Sequence, residues 1–208
     1  MNILSALIAL VILIFSAILH EIAHGLAAER LGDPTARLSG RLTLNPKNHI
    51  DPYMTIILPL LTFFSSGGSV ILGGAKPVPV DPFNLRDGRK DLALVSLAGP
   101  LTNIAIAIIG SLIIHAFSLG SSLPGFLFMN IVYLNLLLGI FNLMPIPPLD
   151  GSSILALILP EDMANAYMSL RSIGFLILIF LLFFPIGNFS LIGFIFSLLN
   201  FSLKILGL

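Results

Sequence analysis

The charged residues of this chain are confined to a few short stretches, and the tracts between them limit what it can fold into. Residues 1–20, 52–75, 92–149 and 172–203 contain no Asp, Glu, Lys or Arg. A helix needs about 20 mainly apolar residues to cross the hydrocarbon core of a bilayer, and backbone polar groups at that depth must be satisfied within the protein. The chain therefore reads as an all-α polytopic membrane protein in a lipid bilayer. Composition agrees: of 208 residues, 57% are hydrophobic and 10% charged, where a soluble domain carries roughly 25% charged residues.

The neutral tract 92–149 is long enough for two crossings, divided at Gly120-Ser121-Ser122-Leu123-Pro124-Gly125. Crossings are expected near 3–28, 92–118, 126–143, 170–184 and 189–206, with charged connections at 29–51, 76–91 and 150–171. Segment 52–75 is broken by Pro59, Gly67-Gly68 and Gly73-Gly74, so it either crosses or enters and returns. The fold expected is about five to six transmembrane helices plus a re-entrant or short β-containing segment around 52–80. Cytoplasmic loops collect Lys and Arg. Re-entry puts Arg30, Arg37, Arg41, Lys47, Lys76, Arg86, Arg89, Lys90, Arg171 and Lys204 on one side, which favours an outside N-terminus and a cytoplasmic basic face. Irregular backbone at membrane depth must be buried or line a wet cavity, so re-entry also implies an internal hydrated site. The stretch Ala75-Lys76-Pro77-Val78-Pro79-Val80 suits an edge strand at its mouth, since Pro donates no ladder hydrogen bond. Residues 1–208 read as one membrane-embedded domain, and Met1–Leu19, which lacks a basic n-region and a cleavage site, as retained.

Several classes are excluded. Ten Lys/Arg balance ten Asp/Glu and lie scattered, which argues against nucleic acid. Cys is absent, which removes disulfides, iron–sulfur clusters, thiolate zinc sites and a cysteine nucleophile. Ser65-Ser66 and Ser152-Ser153 lack a placed histidine partner for acyl transfer.

The first helix ends in His20-Glu21-Ile22-Ala23-His24, the pattern HExxH. Residues i and i+4 share a helix face, so both imidazoles can bind one metal while Glu21 reaches a water as general base. A charge within a membrane helix costs about 2.5–3.5 kcal/mol on insertion scales and points to function. A catalytic zinc takes three protein ligands, so one ligand remains to be found. His115 lies alone in an apolar tract and suits a polar contact within the bundle. His49 sits in the polar turn Asn48-His49-Ile50-Asp51-Pro52. Asp150, after Pro145-Ile146-Pro147-Pro148-Leu149, is the best candidate, with an N-cap at the following helix as the alternative; Gly151 beside it permits an unusual dihedral.

HExxH at the end of a membrane helix, with Asn142-Leu143-Met144-Pro145-Ile146-Pro147-Pro148-Leu149-Asp150-Gly151 later in the chain, resembles the site-2 protease family of intramembrane zinc metalloproteases, peptidase family M50. Ala98-Gly99-Pro100-Leu101-Thr102-Asn103 is similar to its AGPxxN element, and Gly74–Val80 to a loop of its small prokaryotic branch without PDZ or CBS domain. Gly74 stands where relatives often carry Trp. The resemblance implies one zinc ion held by His20, His24 and Asp150, with Glu21 as catalytic acid/base and Asn142 steadying the substrate carbonyl or oxyanion; Asn103 reads as architectural. It further implies hydrolysis of peptide bonds in a single-pass transmembrane substrate, in a prokaryotic plasma membrane with the site near the cytoplasmic side. The competing readings are a zinc hydrolase acting on a lipid or prenylated peptide, and a membrane-embedded zinc transporter or inactive scaffold.

Overall fold

The structure is a computed structural model, and it describes residues 3–52, 57 and 74–208. The described chain contains helices α1 (Ile3–Arg30), α2 (Thr35–Leu38), α3 (Gly88–Ala116), α4 (Leu123–Asn142), α5 (Gly151–Ile158), α6 (Glu161–Ser169), α7 (Arg171–Phe183) and α8 (Leu191–Ile205), with 3-10 turns at Pro46–His49 and Pro82–Asn84. Three spans within or equal to these helices, Leu4–Arg30, Gly88–Ala116 and Leu123–Asn142, are long and apolar enough to cross a membrane. The pair α6 and α7 is bent by 69°. The all-α, membrane-embedded architecture is thus present, with α3 packed between α1 and α4.

Local chemistry explains the boundaries. α1 stops where Gly32 takes φ +114° and the Asp33 amide reaches back 2.9 Å to the Ala28 carbonyl, a glycine-terminated helix end. The α3–α4 turn falls inside the Gly/Ser/Pro cluster, where the Ser122 hydroxyl accepts from the Gly125 amide at 3.2 Å and Pro124 occupies the first turn. Leu4, Leu7, Val11, Leu112 and Phe201 point outward, as lipid-facing side chains do. The interior between α1, α3 and α4 instead holds the polar groups Ser16, His20, Asn103 and Asn135, all buried.

Two expectations change. Among the described residues no sheet forms: Lys76–Val80 is irregular chain and joins no ladder, while much of the 52–75 segment lies outside the described residues. The second change concerns Lys204. The Leu206 carbonyl accepts from the Ser111 hydroxyl at 3.0 Å and meets His115 Nε2 at 2.8 Å, so α8 ends beside the C-terminal turn of α3. The other described basic side chains near the bundle, such as Arg30, Arg86, Arg89 and Lys90, lie at the opposite end, where α1 finishes and α3 begins. Lys204 therefore lies at the other end of the bundle from them. The physical reason is length: the 13 residues of α7 rise about 20 Å, short of a core of about 30 Å, so α7 alone is not the crossing that would return α8 to the basic end.

A polar knot closes that end. Asp33, wholly buried, accepts hydrogen bonds from the Thr35 amide at 3.0 Å and the Thr35 hydroxyl, from the Asp81 amide at 2.7 Å and from Asn84 Nδ2 at 3.1 Å. Burial pushes its carboxyl pKa upward, but these donors outweigh burial and hold it below the usual value of 3.8. A depressed pKa means stability that is present above the unfolded value and lost as pH falls through the folded one. The difference in thermal unfolding temperature between wild type and Asp33→Asn in detergent is therefore expected to be widest near neutral pH. It should shrink as pH drops below about 4; a pH-independent gap would contradict the ionised knot.

Candidate active site

α1 carries His20 and His24 one turn apart, facing α3. Their approach depends on Gly99: a methyl group there would lie 2.5 Å from His24 Nε2 and 2.6 Å from His20 Nε2. Asp150 arrives from the Pro-rich turn. It precedes α5 in helical dihedrals and makes no side-chain cap hydrogen bond, so the N-cap alternative is not followed. Its Oδ2 lies 3.1 Å from His20 Nε2 and 3.3 Å from His24 Nε2, and the two Nε2 atoms are 3.0 Å apart. Gly151 does not adopt a positive φ; a side chain there would collide with the Leu143 carbonyl, so it serves space and not an unusual dihedral.

Hydrogen-bond logic sets the protonation of the pair. His24 Nδ1 lies 2.7 Å from the Val95 carbonyl, which only accepts, so Nδ1 carries the hydrogen and Nε2 of the neutral ring is a lone pair. For His20 two side-chain amides set the position of the proton. Asn135 Nδ2 donates to the Ile131 carbonyl and the Ser16 hydroxyl, both at 2.9 Å, which turns its Oδ1 toward Asn103 Nδ2 at 2.9 Å. Asn103 Oδ1 is then left facing His20 Nδ1 at 2.6 Å, so that nitrogen also carries the hydrogen. Two nitrogen lone pairs and a carboxylate oxygen thus converge with no donor between them. Asp150 Oδ2 is buried without a hydrogen-bond partner.

That donor set fits a zinc ion. Ligand atoms about 2 Å from a common tetrahedral ion stand about 3.3 Å apart, close to the separations found. Among the described residues, His20, His24 and Asp150 form the one group of His, Asp or Glu side chains able to hold a metal together. Glu21 points instead to the face of α1 shared with Gly25, where its Oε2 accepts from the Val78 amide at 2.7 Å.

The remaining candidates separate. His49 is buried and its Nε2 meets the Thr43 carbonyl at 2.8 Å, away from the cluster. His115 contacts Leu206 at the far end of the bundle. Asn142 donates Nδ2 to Leu138 in its own helix at 3.0 Å, and no hydrogen bond among the described residues joins it to the three donors. Asn135 escaped sequence reasoning because it lies in no motif; the signal available was an amide in the middle of an apolar helix, which must find a partner inside the bundle.

Comparison with known proteins decides the family. The model of peptidase family M50 matches residues 8–123 and 119–184. The chain belongs to peptidase family M50. This M50 protein is similar to relatives named as zinc metalloproteases. YwhC of Bacillus subtilis is 37% identical over 188 residues, covering 86% of this chain and 81% of that protein. Rip2 of Mycolicibacterium smegmatis is 32% identical over 178 residues, covering 84% and 66%. Rip2 of Mycobacterium tuberculosis H37Rv is 31% identical over 190 residues, covering 90% and 71%. No solved structure matches the chain. Family membership makes it a membrane zinc metalloprotease, with zinc as cofactor and a membrane protein as substrate.

Partners that orient a metal-binding imidazole typically contribute 10–100-fold to metal affinity. Asn135→Leu keeps the branched side-chain shape but breaks the relay to His20. It is expected to weaken zinc binding about 10–100-fold in competition with a chromogenic chelator, while the protein stays helical and monodisperse. Unchanged affinity would show that Asn103 holds His20 without Asn135.

Proposed function

We propose that His20, His24 and Asp150 hold the zinc ion of an intramembrane endopeptidase, and that Glu21 is its general acid/base. The observation that carries this reading is the convergence of three lone pairs one helix position from a carboxylate. When bound, zinc supplies Lewis-acid polarisation of a carbonyl and lowers the pKa of water. The chain's own groups do the rest. Glu21, with Oε2 held by the Val78 amide, has Oε1 available to accept a proton from the attacking water and return it to the leaving amine. Asn142, at the end of α4, has an amide suited to donate to the developing oxyanion, and doing so means releasing Leu138.

The substrate proposed is a single-pass transmembrane protein. Its carbonyls are engaged in i to i−4 hydrogen bonds while helical, so the cut segment must unwind locally before it meets Glu21. The basic residues at the His24 end of the bundle support a cytoplasmic orientation for the site under the positive-inside rule, and a prokaryotic plasma membrane is the proposed location. A single domain over 1–208, and a count of five to six crossings that includes the 52–80 segment, belong to the same proposal.

The test couples metal content to cleavage in purified, detergent-solubilised protein against a panel of single-pass transmembrane peptides. Glu21→Gln is expected to keep about one zinc per chain and lose cleavage by at least about 100-fold, the scale of general acid–base catalysis. Asp150→Ala should lose zinc and activity together. Zinc binding with no cleavage in wild type, and Glu21→Gln indistinguishable from it, would favour a transporter or scaffold.

A further inference from the structure

Three buried polar groups that the proposed mechanism leaves unused gather in one place. Asp33, Arg41 and His49 are each less than a tenth exposed, and all three lie in the connection between α1 and residue 50. They grip one stretch of chain at both ends. At the start of that stretch, the Lys76 amide donates to the His49 carbonyl at 2.7 Å and Arg41 Nη2 donates to the Lys76 carbonyl at 2.7 Å. At its end, the Asp81 amide donates to Asp33 Oδ2 at 2.7 Å. Midway between the two grips, the Val78 amide donates to Glu21.

The stretch is stiff and seated closely. Pro77 and Pro79 fix φ on either side of Val78, so a shift at either grip is carried to the Val78 amide instead of being absorbed. The Val78 side chain is buried against α1 where Gly25 leaves room: a methyl at Gly25 would lie 3.0 Å from Val78 Cγ1 and 2.9 Å from Ala36 Cβ. Glu21 and Gly25, four residues apart, share that face. A glutamate has three side-chain torsions to restrain, and the Val78 amide, from outside the helix, holds the end of this one.

We propose that Asp33 and Arg41 are positioning residues for Glu21, acting through the Lys76–Asp81 strap. Neither touches the reacting atoms; together they hold the strap at the height where the Val78 amide fixes one carboxylate oxygen and leaves the other for proton transfer. This rests on the assignment of Glu21 as acid/base, and the experiment below separates the two.

The chain has no cysteine, so a single Val78→Cys reports on the strap through its rate of maleimide labelling, without removing the backbone amide. In this background Asp33→Ala is expected to raise labelling about tenfold, as a local opening exposes the thiol. Cleavage of the transmembrane peptide best cut by wild type should lose about tenfold in kcat with KM within about twofold, the pattern of an interaction felt in the transition state. Zinc content should stay at the wild-type value. Arg41→Gln, which removes one donor at the other grip, is expected to act in the same direction and serves if Asp33→Ala does not fold. Faster labelling with unchanged kcat, unchanged labelling, or loss of zinc would each overturn the positioning role. Glu21→Gln run in parallel keeps the failures apart: full activity there overturns the acid/base assignment, whereas an inactive Glu21→Gln beside a fully active, labelled Asp33→Ala overturns the strap alone.

Discussion

Two imidazole lone pairs and a carboxylate oxygen, brought to within 3.0–3.3 Å of one another in a buried space, repel unless a cation sits among them. That repulsion is the constraint the rest of the architecture answers. It explains why both outer imidazole nitrogens end on acceptors, His24 on the Val95 carbonyl and His20 on Asn103, so that neither ring can turn its N–H inward. It explains why α3 presents Gly99 at the crossing, where any side chain would fill the space between the rings. The Pro-rich turn then brings Asp150 to the same point without spending its carboxylate on a helix cap.

The arrangement divides α1 into two working faces. One, carrying His20 and His24, faces α3 and the amide relay through Asn103 and Asn135 to Ser16. The other, carrying Glu21 and Gly25, receives the strap. A helix offers such separation because successive residues turn by about 100°, so metal-binding and proton-transfer groups can be one residue apart yet held by different neighbours. The two faces are also stabilised differently. Amide and carbonyl contacts hold the imidazoles within the bundle, whereas the strap is fixed by a charged knot at the bundle's end.

How much of this was legible in the sequence follows from whether a feature leaves a periodic or motif signature. The HExxH spacing, the Pro-rich turn before Asp150 and the Gly/Ser/Pro cluster at Gly120–Gly125 are local patterns, and the three converging donors and the α3–α4 connection lie at them. Asn103 was read as architectural, and it does tie α3 to α1 and α4; that its partner is His20, eighty-three residues away, leaves no trace in spacing. Asn135 and Asp33 carry no motif at all; their roles come from tertiary contacts between segments distant in the chain. Lys204 was misplaced for another reason: counting charges assigns sides only when each apolar tract crosses once, and α7 is too short to do so alone. The strap was anticipated as an edge strand. Among the described residues its Lys76, Val78 and Asp81 amides go instead to the His49 carbonyl, Glu21 and Asp33.

If two histidines and one aspartate form the zinc seat, X-ray absorption at the zinc edge of the metal-loaded protein will show a four-coordinate ion with only nitrogen and oxygen neighbours at about 2.0–2.1 Å, and multiple-scattering features corresponding to two imidazoles per zinc. A site with one imidazole or none, or a spectrum of a six-coordinate ion bound chiefly to water, would contradict it.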